Sequence, residues 1–473
     1  MYLTKILERA ARQPDATCFI TEERRISLAE LAADFDALAV WLTRQGLGPG
    51  DAVGVSIKDG YRHLVAALAL MRIGAGQIGL PTHEPQAYRS ELAARIKAVA
   101  VLAEDERPAL DGLPTLIADF EFTAPASALP APADHAPSLY MASSGTTGRA
   151  KIVPLTQAQM HRSAARYHAM DHPGIFYRPV SSEHNIGKKA RLTSLAVGQV
   201  HLIADPGRWP VVEAVRAFGV TSVGVSAAQV RGLIDGAGRG RKLPKGTRVT
   251  IGGSPVSQAL RREITETVTP DLHIVYATSE FGTISVARPD HHDGPPDCLG
   301  PPVPGVELGV VDEADRPVPP GVVGLLRMRA AGMVGAYFDD PVASAKAFRN
   351  GWFYPGDAGR VSQDGLLYFA GRADDMFILA SINIFPAEIE RVVEGLPAVR
   401  ECAAFAVKSR DFGDIPLVAV VPQAPITADE VLAHAKSRLG LKAPRKVFVV
   451  DALPLTGQGK VDRAALQAMA KPG

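Results

Sequence analysis

Short apolar runs and amphipathic helical patterns alternate through the first 370 residues of this 473-residue chain. Ser27 and Glu30 have the spacing of a capping box, in which each side chain bonds the backbone N–H of the other residue at a helix start. Helically spaced apolar residues then continue to Leu42. Residues 51–57 are typical of a short buried strand, and an apolar helical pattern covers 61–72. Strand, helix and strand in this order predict an α/β fold with mostly parallel sheets flanked by helices.

The chain is too long for one ordinary core, so at least two domains are expected. After residue 375 the pattern changes to that of a compact α+β unit. Thr427 and Glu430 form a second capping box, and residues 415–421 are typical of an apolar strand. We therefore predict a large N-terminal domain with several subdomains, residues 1–373, and a small C-terminal domain, residues 374–473.

Charge and cysteine content narrow the class of protein. Lys and Arg number 51 against 50 Asp and Glu, a balance that provides no broad field for nucleic acid or an anionic membrane. Three widely separated cysteines favour a reduced intracellular compartment. The longest apolar run, residues 64–71, is too short to span a bilayer. We expect a cytoplasmic protein without nucleic-acid binding or membrane insertion.

A loop rich in glycine, serine and threonine follows the strand-like run 138–142. Its small residues let backbone N–H groups approach phosphate oxygens, its hydroxyls add donors, and a lysine supplies positive charge. It lacks the ending of a Walker A loop, and such a stretch taken alone is more often a flexible surface loop. The predicted phosphate-binding residues are Ser143, Ser144, Gly145, Thr146, Thr147, Gly148 and Lys151.

This loop resembles the phosphate-binding signature of the AMP-binding, adenylate-forming superfamily, which includes acyl-CoA synthetases, aryl-acid ligases, luciferases and peptide-synthetase adenylation domains. Four further segments resemble its motifs in the same order: 276–280, 352–357, 371–375 continuing to 386–390, and 454–463. The resemblance implies that a small carboxylic acid attacks the α-phosphate of ATP, expels pyrophosphate and becomes an acyl-AMP. The acyl group then passes to a nucleophile.

The resemblance also implies roles for the residues within these motifs. Glu280 would bind Mg²⁺, since hard cations favour carboxylate oxygens. Asp357 would accept hydrogen bonds from the ribose hydroxyls, and Arg372 would bind ribose or phosphate. Lys460 would bridge the acid and the α-phosphate. The remaining predicted ATP-binding residues are Gly252, Gly253, Ser254, Tyr276, Ala277 and Ser279, although the glycines could also form a plain strand-to-helix turn.

A second group of residues is expected to bind the acid. It contains His184, Val225, Ser226, Gly252, Ala277 and Thr278. His184 stands where the superfamily has an aromatic residue or histidine beside the incoming carboxylate, and a structural role for it is the alternative. No charged residue stands out as a partner for an additional ionic group, so a neutral aryl or aliphatic acid is expected.

The nucleophile that receives the acyl group is the least constrained part of the prediction. A thiol, from CoA or from the phosphopantetheine of an acyl carrier protein, is the first hypothesis. However, Ile378 and Ser381 stand where acyl-CoA synthetases usually have lysine and glycine. An amine acceptor is therefore an alternative, and a non-catalytic nucleotide-binding regulator is a third. Separately, the resemblance of residues 371–375 to a superfamily motif implies a hinge at Asp374.

Overall fold

The computed structural model describes residues 2–105, 110–118, 120, 129, 136–143, 150–168, 174–253, 256–292, 294–295, 297–379, 382–409, 413–455 and 461–470. Within these residues the α-helices are Tyr2–Arg12, Leu28–Arg44, Gly60–Arg72, Gln86–Arg95, Gln157–His168, Asn185–Val197, Val211–Phe218, Ala227–Gly238, Gln258–Thr267, Pro341–Ala347, Pro386–Glu394, Ala428–Leu439 and Arg463–Ala470. In the part of the chain so described, no helix is long and apolar enough to cross a membrane.

The local signals read from the sequence are confirmed. Ser27 Oγ accepts a hydrogen bond from Glu30 N at 3.1 Å, and Ser27 N donates to Glu30 Oε2 at 2.7 Å. The helix that they begin ends at Arg44. The second capping box, at Thr427 and Glu430, begins the helix Ala428–Leu439 in the same way. Each box satisfies backbone donors that the first helical turn leaves unpaired.

The first sheet has six strands and lies in the N-terminal third of the chain. Its first five strands run parallel and the sixth antiparallel. In spatial order the strands are Thr115–Ile117, Ala100–Ala103, Ala52–Ser56, Gly76–Gly79, Pro137–Ser143 and Lys151–Thr156. The antiparallel pair Pro137–Ser143 and Lys151–Thr156 places the two ends of the predicted phosphate loop side by side, with Ser143 opposite Lys151.

The second sheet has eight strands, of which the central six are parallel and the two edge strands antiparallel. In spatial order they are Gly282–Ala287, Leu272–Thr278, Arg248–Gly252, Ser222–Val225, Ile175–Tyr177, Val200–Leu202, Thr17–Ile20 and Arg25–Ser27. One face packs Val223, Val225, Val249 and Ile251 into an apolar core with the helices Val211–Phe218, Ala227–Gly238 and Gln258–Thr267. Because side chains alternate along a strand, their neighbours in sequence lie on the opposite face.

The third sheet departs from the predicted pattern because all of its strand pairs are antiparallel. Its strands are Cys298–Gly300, Glu307–Val311, Gly324–Arg329, Phe348–Arg349, Trp352–Phe353, Asp357–Val361 and Leu367–Arg372. The alternation of helix and strand expected through residue 370 thus does not extend to this region. Parallel strands need a long crossover connection, whereas turns of a few residues join most of these strands.

The fourth sheet belongs to the C-terminal part of the chain. Its strands are Phe377–Leu379, Ile382–Ile384, Val399–Ser409, Gly413–Pro422 and Val447–Val449. The strand predicted at 415–421 is confirmed within Gly413–Pro422. The third sheet ends at Arg372 and the fourth begins at Phe377, so the two sheets meet across the segment that carries Asp374.

Candidate active site

The carboxyl ends of neighbouring parallel strands gather most of the residues predicted to bind the acid. Val225 pairs with Ile251, and Gly252 pairs with Val275 two residues before Ala277. Ligands bind outside this edge in open parallel sheets, because the connecting loops and helix starts there present polar groups. The structure therefore brings together Val225, Ser226, Gly252, Gly253, Ala277 and Thr278.

Glu280 is held by a tyrosine that the sequence did not single out. Tyr337, which is 6% exposed, donates a hydrogen bond from its hydroxyl to Glu280 Oε1 at 2.8 Å. The ammonium of Lys151 lies 5.0 Å from the centre of the same tyrosine ring, a cation–π distance. Burial and the Glu280 carboxylate raise the pKa of Tyr337, so the hydroxyl stays protonated and remains a donor. One aromatic ring thus joins the predicted metal ligand to the predicted phosphate-binding lysine.

Asp357 forms a second polar cluster with two other predicted residues. The hydroxyl of Tyr276 donates to Asp357 Oδ2, and Arg372 Nη1 donates to Asp357 Oδ1 at 3.0 Å. Arg372 also donates to the carbonyl of Pro355 at 2.7 Å. Each carboxylate oxygen can accept more than one hydrogen bond, so Asp357 retains lone pairs for a ribose. Gly356 has φ of +83°, and a Cβ there would lie 2.8 Å from the arginine, which explains the glycine.

His184 begins the helix Asn185–Val197, and its ring contacts that of a second histidine at a tilt of 40°. The ring centroids of His184 and His83 are 4.9 Å apart. Burial and the neighbouring His83 lower the pKa of His184, so its imidazole is neutral at physiological pH. The loop that carries His83 is fixed by Glu183, whose Oε1 accepts from Thr82 N at 2.7 Å.

The first turn of this helix contributes two lysines that the sequence reasoning missed, one buried and one partly buried. Lys189 Nζ donates to the carbonyl of Ser279 at 3.3 Å, directly beside Glu280. Burial lowers the pKa of Lys189 to about 8. Lys188 is 2% exposed, its ammonium has no hydrogen-bond partner among the described residues, and burial lowers its pKa to about 7. Lys189 thus adds a positive charge beside the predicted metal ligand Glu280.

Several predicted residues cannot be placed. Ser144, Gly145, Thr146, Thr147, Gly148, Ser254, Ser381 and Lys460 lie outside the described residues, and for Ser143 only the backbone pairing with Lys151 is described. No motif spacing could have identified Tyr337, His83 or Lys189, because each is brought to the site by a different element of the fold.

The described residues fit a magnesium ion bound together with a nucleotide. Glu280 gives one oxygen to Tyr337 and keeps the other for a cation. Among the described residues no group of three or more His, Cys, Asp or Glu could hold a metal ion. Mg²⁺ in nucleotide sites typically takes one or two protein carboxylates and completes its shell with phosphates and water. A single glutamate beside a phosphate loop suits that arrangement.

Two curated proteins illustrate the sequence similarity, which extends over almost the whole chain. A salicylyl-CoA synthase / salicylate adenylyltransferase from a Streptomyces species is 28% identical and aligns over 97% of this chain and 92% of its own. A fatty acid–[acyl-carrier-protein] ligase from Streptomyces coeruleorubidus is 27% identical, over 97% and 94%.

Solved structures show that the fold is shared. An amide bond synthetase from Marinactinospora thermotolerans superposes with a TM-score of 0.88, at 23% identity over 99% of both chains. An o-succinylbenzoate CoA synthetase from Bacillus subtilis, in complex with its acyl-adenylate intermediate, gives 0.87 at 23% identity, covering 98% of this chain and 97% of its own.

The family models match both parts of the chain. The model described as AMP-binding enzyme covers residues 6–338, and the model described as AMP-binding enzyme C-terminal domain covers residues 388–460. The first match spans the strand ends that gather the predicted acid site, together with Glu280, Tyr337 and Lys151. With well over half of its residues matched, this chain belongs to the AMP-binding enzyme family.

Proposed function

We propose that the protein is an ATP-dependent carboxylic acid ligase that forms an acyl-AMP, releases pyrophosphate and then transfers the acyl group to a thiol. The contact of Glu280, Tyr337 and Lys151 carries this proposal, because it joins a carboxylate suited to Mg²⁺ with a lysine at the end of the glycine-rich loop. Phosphoryl chemistry depends on fixed positive charge and fixed donors around the phosphates.

The chain's own residues divide the first half-reaction between them. Lys151 and the loop before it would bind the phosphates, and Asp357 would orient the ribose while Tyr276 and Arg372 hold its carboxylate in place. Bound Mg²⁺ would supply positive charge beside the phosphates, with Glu280 as its protein ligand. The neutral imidazole of His184 would donate or accept a hydrogen bond without repelling Lys188 or Lys189.

We further propose a division into residues 1–373 and 374–473, with a hinge at Asp374. Lys346 and Arg372 both contact this aspartate, at 3.5 and 3.3 Å. Other polar contacts between the parts include Arg391 with Asp297 at 3.6 Å, Arg391 with the carbonyl of Phe369 at 3.5 Å, and a hydrogen bond between Glu394 and Ser257. Polar contacts of this kind can be exchanged at low cost, which is compatible with the small domain changing position between the two half-reactions. Lys460 would serve the adenylation arrangement.

The acceptor is proposed from the relatives. Their names describe transfer to CoA and to an acyl carrier protein, and both acceptors present a phosphopantetheine thiol. One observation favours an amine instead. Ile378, at the position where acyl-CoA synthetases usually have lysine, is 49% exposed and offers no charge to a CoA phosphate.

Acid-dependent exchange of labelled pyrophosphate into ATP tests the first half-reaction. We expect exchange with at least one acid from a broad panel, its loss in Glu280→Gln, and its retention in Glu263→Gln, which removes an exposed surface carboxylate. Absence of exchange with every acid would refute the proposal and favour a nucleotide-binding regulator. With the best acid, supplying CoA, phosphopantetheinylated carrier protein or an amine separately identifies the acceptor.

A further inference from the structure

Arg178 immediately follows the strand Ile175–Tyr177. It lies on the face of the second sheet opposite to the apolar core that contains Tyr177 and Val223. Tyr177 pairs with Val223, so Arg178 stands level with Gly224 on the neighbouring strand. The guanidinium lies over this glycine, since a Cβ at position 224 would be 2.6 Å from Arg178 Nη2 and 2.9 Å from Phe176 Cζ. The missing side chain at Gly224 therefore makes the space that the arginine occupies.

The backbone around Arg178 is fastened to the predicted acid site. Gln229 Nε2 donates to the carbonyl of Pro179 at 3.0 Å. The same glutamine forms a capping box with Ser226, one of the predicted acid-binding residues, through bonds of 2.9 and 3.2 Å. On the other side, Arg191 Nη2 donates to the carbonyl of Val180 at 2.9 Å. The arginine is thus positioned by the two elements that border the acid site.

No carboxylate among the described residues pairs with the guanidinium of Arg178. Among the described residues Arg178 forms no ion pair and no side-chain hydrogen bond, although it remains partly accessible to solvent. Arg191 beside it is 2% exposed, and its Nε and Nη1 atoms have no hydrogen-bond partner. Burial lowers the pKa of both groups. Enclosing one guanidinium fully and a second one partly without an anion is costly, so an anionic ligand would relieve that cost.

The depth of Arg178 distinguishes this anion from the phosphates of ATP. Gly224, which the guanidinium covers, lies two residues before Ser226, or about 7 Å below the edge of the sheet at 3.3 Å per residue. Lys151, at the end of the phosphate loop, contacts Tyr337 and belongs to the first sheet. An acid bound at the edge with its carboxylate toward ATP would extend its other end down toward Arg178.

We infer that Arg178 binds a second anionic group of the substrate, so that the acid activated here is a dicarboxylic acid or an acid with an equivalent anionic substituent. This inference rests on the proposed function and replaces the expectation of a neutral acid. A guanidinium recognises a carboxylate through two parallel hydrogen bonds, and a site built for such a partner rejects an analogue without it strongly. Arg178 is then the specificity-determining residue at the inner end of the pocket.

Pyrophosphate exchange with matched acid pairs tests this inference. Straight-chain diacids from malonic to suberic acid, and the three benzenedicarboxylic acids, are each compared with their monomethyl esters. We expect at least one diacid to exceed its ester in kcat/KM by about 100-fold or more. Arg178→Gln should use this diacid and its ester with nearly equal kcat/KM, and its KM for ATP should be unchanged. Arg178→Lys should retain part of the preference for the diacid. Arg231→Gln, which removes a surface arginine from the same region, should behave as wild type.

Some results of these assays would contradict the inference about Arg178, and another would contradict the proposed function instead. Equal use of diacids and esters by the wild type would refute a second anionic group. A rise in the KM for ATP in Arg178→Gln, with the acid preference intact, would assign the arginine to phosphate. If Arg178→Gln does not fold, Gly224→Ala displaces the guanidinium instead and should weaken the same preference. If no acid of any kind supports exchange, it is the proposed function that fails.

Discussion

Tyr337→Phe removes one hydroxyl from the candidate active site and leaves the ring in place. The lost hydrogen bond, 2.8 Å long, ends on the carboxylate of Glu280, whereas the cation–π contact of the ring with Lys151 is retained. A hydrogen bond to a charged group contributes about 1.5–3 kcal/mol. Since about 1.4 kcal/mol corresponds to a factor of ten, acid-dependent pyrophosphate exchange should fall about 10-fold to 100-fold.

The physical reason is orientation of the carboxylate. Without its donor, Glu280 can rotate away from the direction in which it would meet Mg²⁺, so the Mg²⁺ concentration for half-maximal exchange should rise as well. Removing the hydrogen-bond partner of a metal-binding carboxylate commonly lowers activity or metal affinity by a similar factor, because the partner fixes the geometry of the ligand. Exchange rates measured across a Mg²⁺ titration report both effects.

Tyr61→Phe provides the matched control. Tyr61 donates to Asp34 Oδ2 at 2.6 Å, so the variant loses the same kind of tyrosine–carboxylate bond in a helical region away from the site. Both variants should lower the melting temperature by similar amounts, and only Tyr337→Phe should lose exchange. If Tyr337→Phe loses no more exchange than Tyr61→Phe, Glu280 is not positioned by this hydroxyl and the reasoning is refuted.

Lys460→Ala should lower the rate of adenylation about 100-fold or more, whereas the variant should convert preformed acyl-AMP at nearly the wild-type rate. Equal loss of rate in both assays would contradict a mechanism in which the small domain changes position between the half-reactions. Asp374→Pro fixes φ at the junction, so single-turnover acyl-AMP formation should persist while steady-state turnover slows, and parallel loss of both would mean a structural role. Burial lowers the pKa of Lys188 from 10.5 to about 7. Between these values the unfolded chain binds more protons, so wild-type stability should rise with pH across that window. Lys188→Met should be more stable at pH 7 and lose this rise in urea unfolding; an unchanged slope would show that the ammonium is not the cause.

Local sequence patterns determined most of the secondary structure. Capping boxes at Ser27 and Thr427, and the alternation of strand and helix before residue 280, predicted elements that the structure contains. Such signals succeed because a cap or an apolar stripe depends on residues within one or two turns. The third sheet escaped prediction because its short strands pair with partners that the local pattern does not reveal, such as Gly324–Arg329 with Asp357–Val361.

The sequence alone also determined the family and the candidate nucleotide site, since motifs such as 276–280 and 352–357 are contiguous. What only the tertiary structure decided is which side chains face one another. Tyr337 reaches Glu280 across 57 positions, and Arg178 meets the glycine of a strand 46 positions later. Whether an arginine is a solvated surface charge or a partly buried cation without a carboxylate partner depends on the groups packed around it, and that packing exists only in the folded chain.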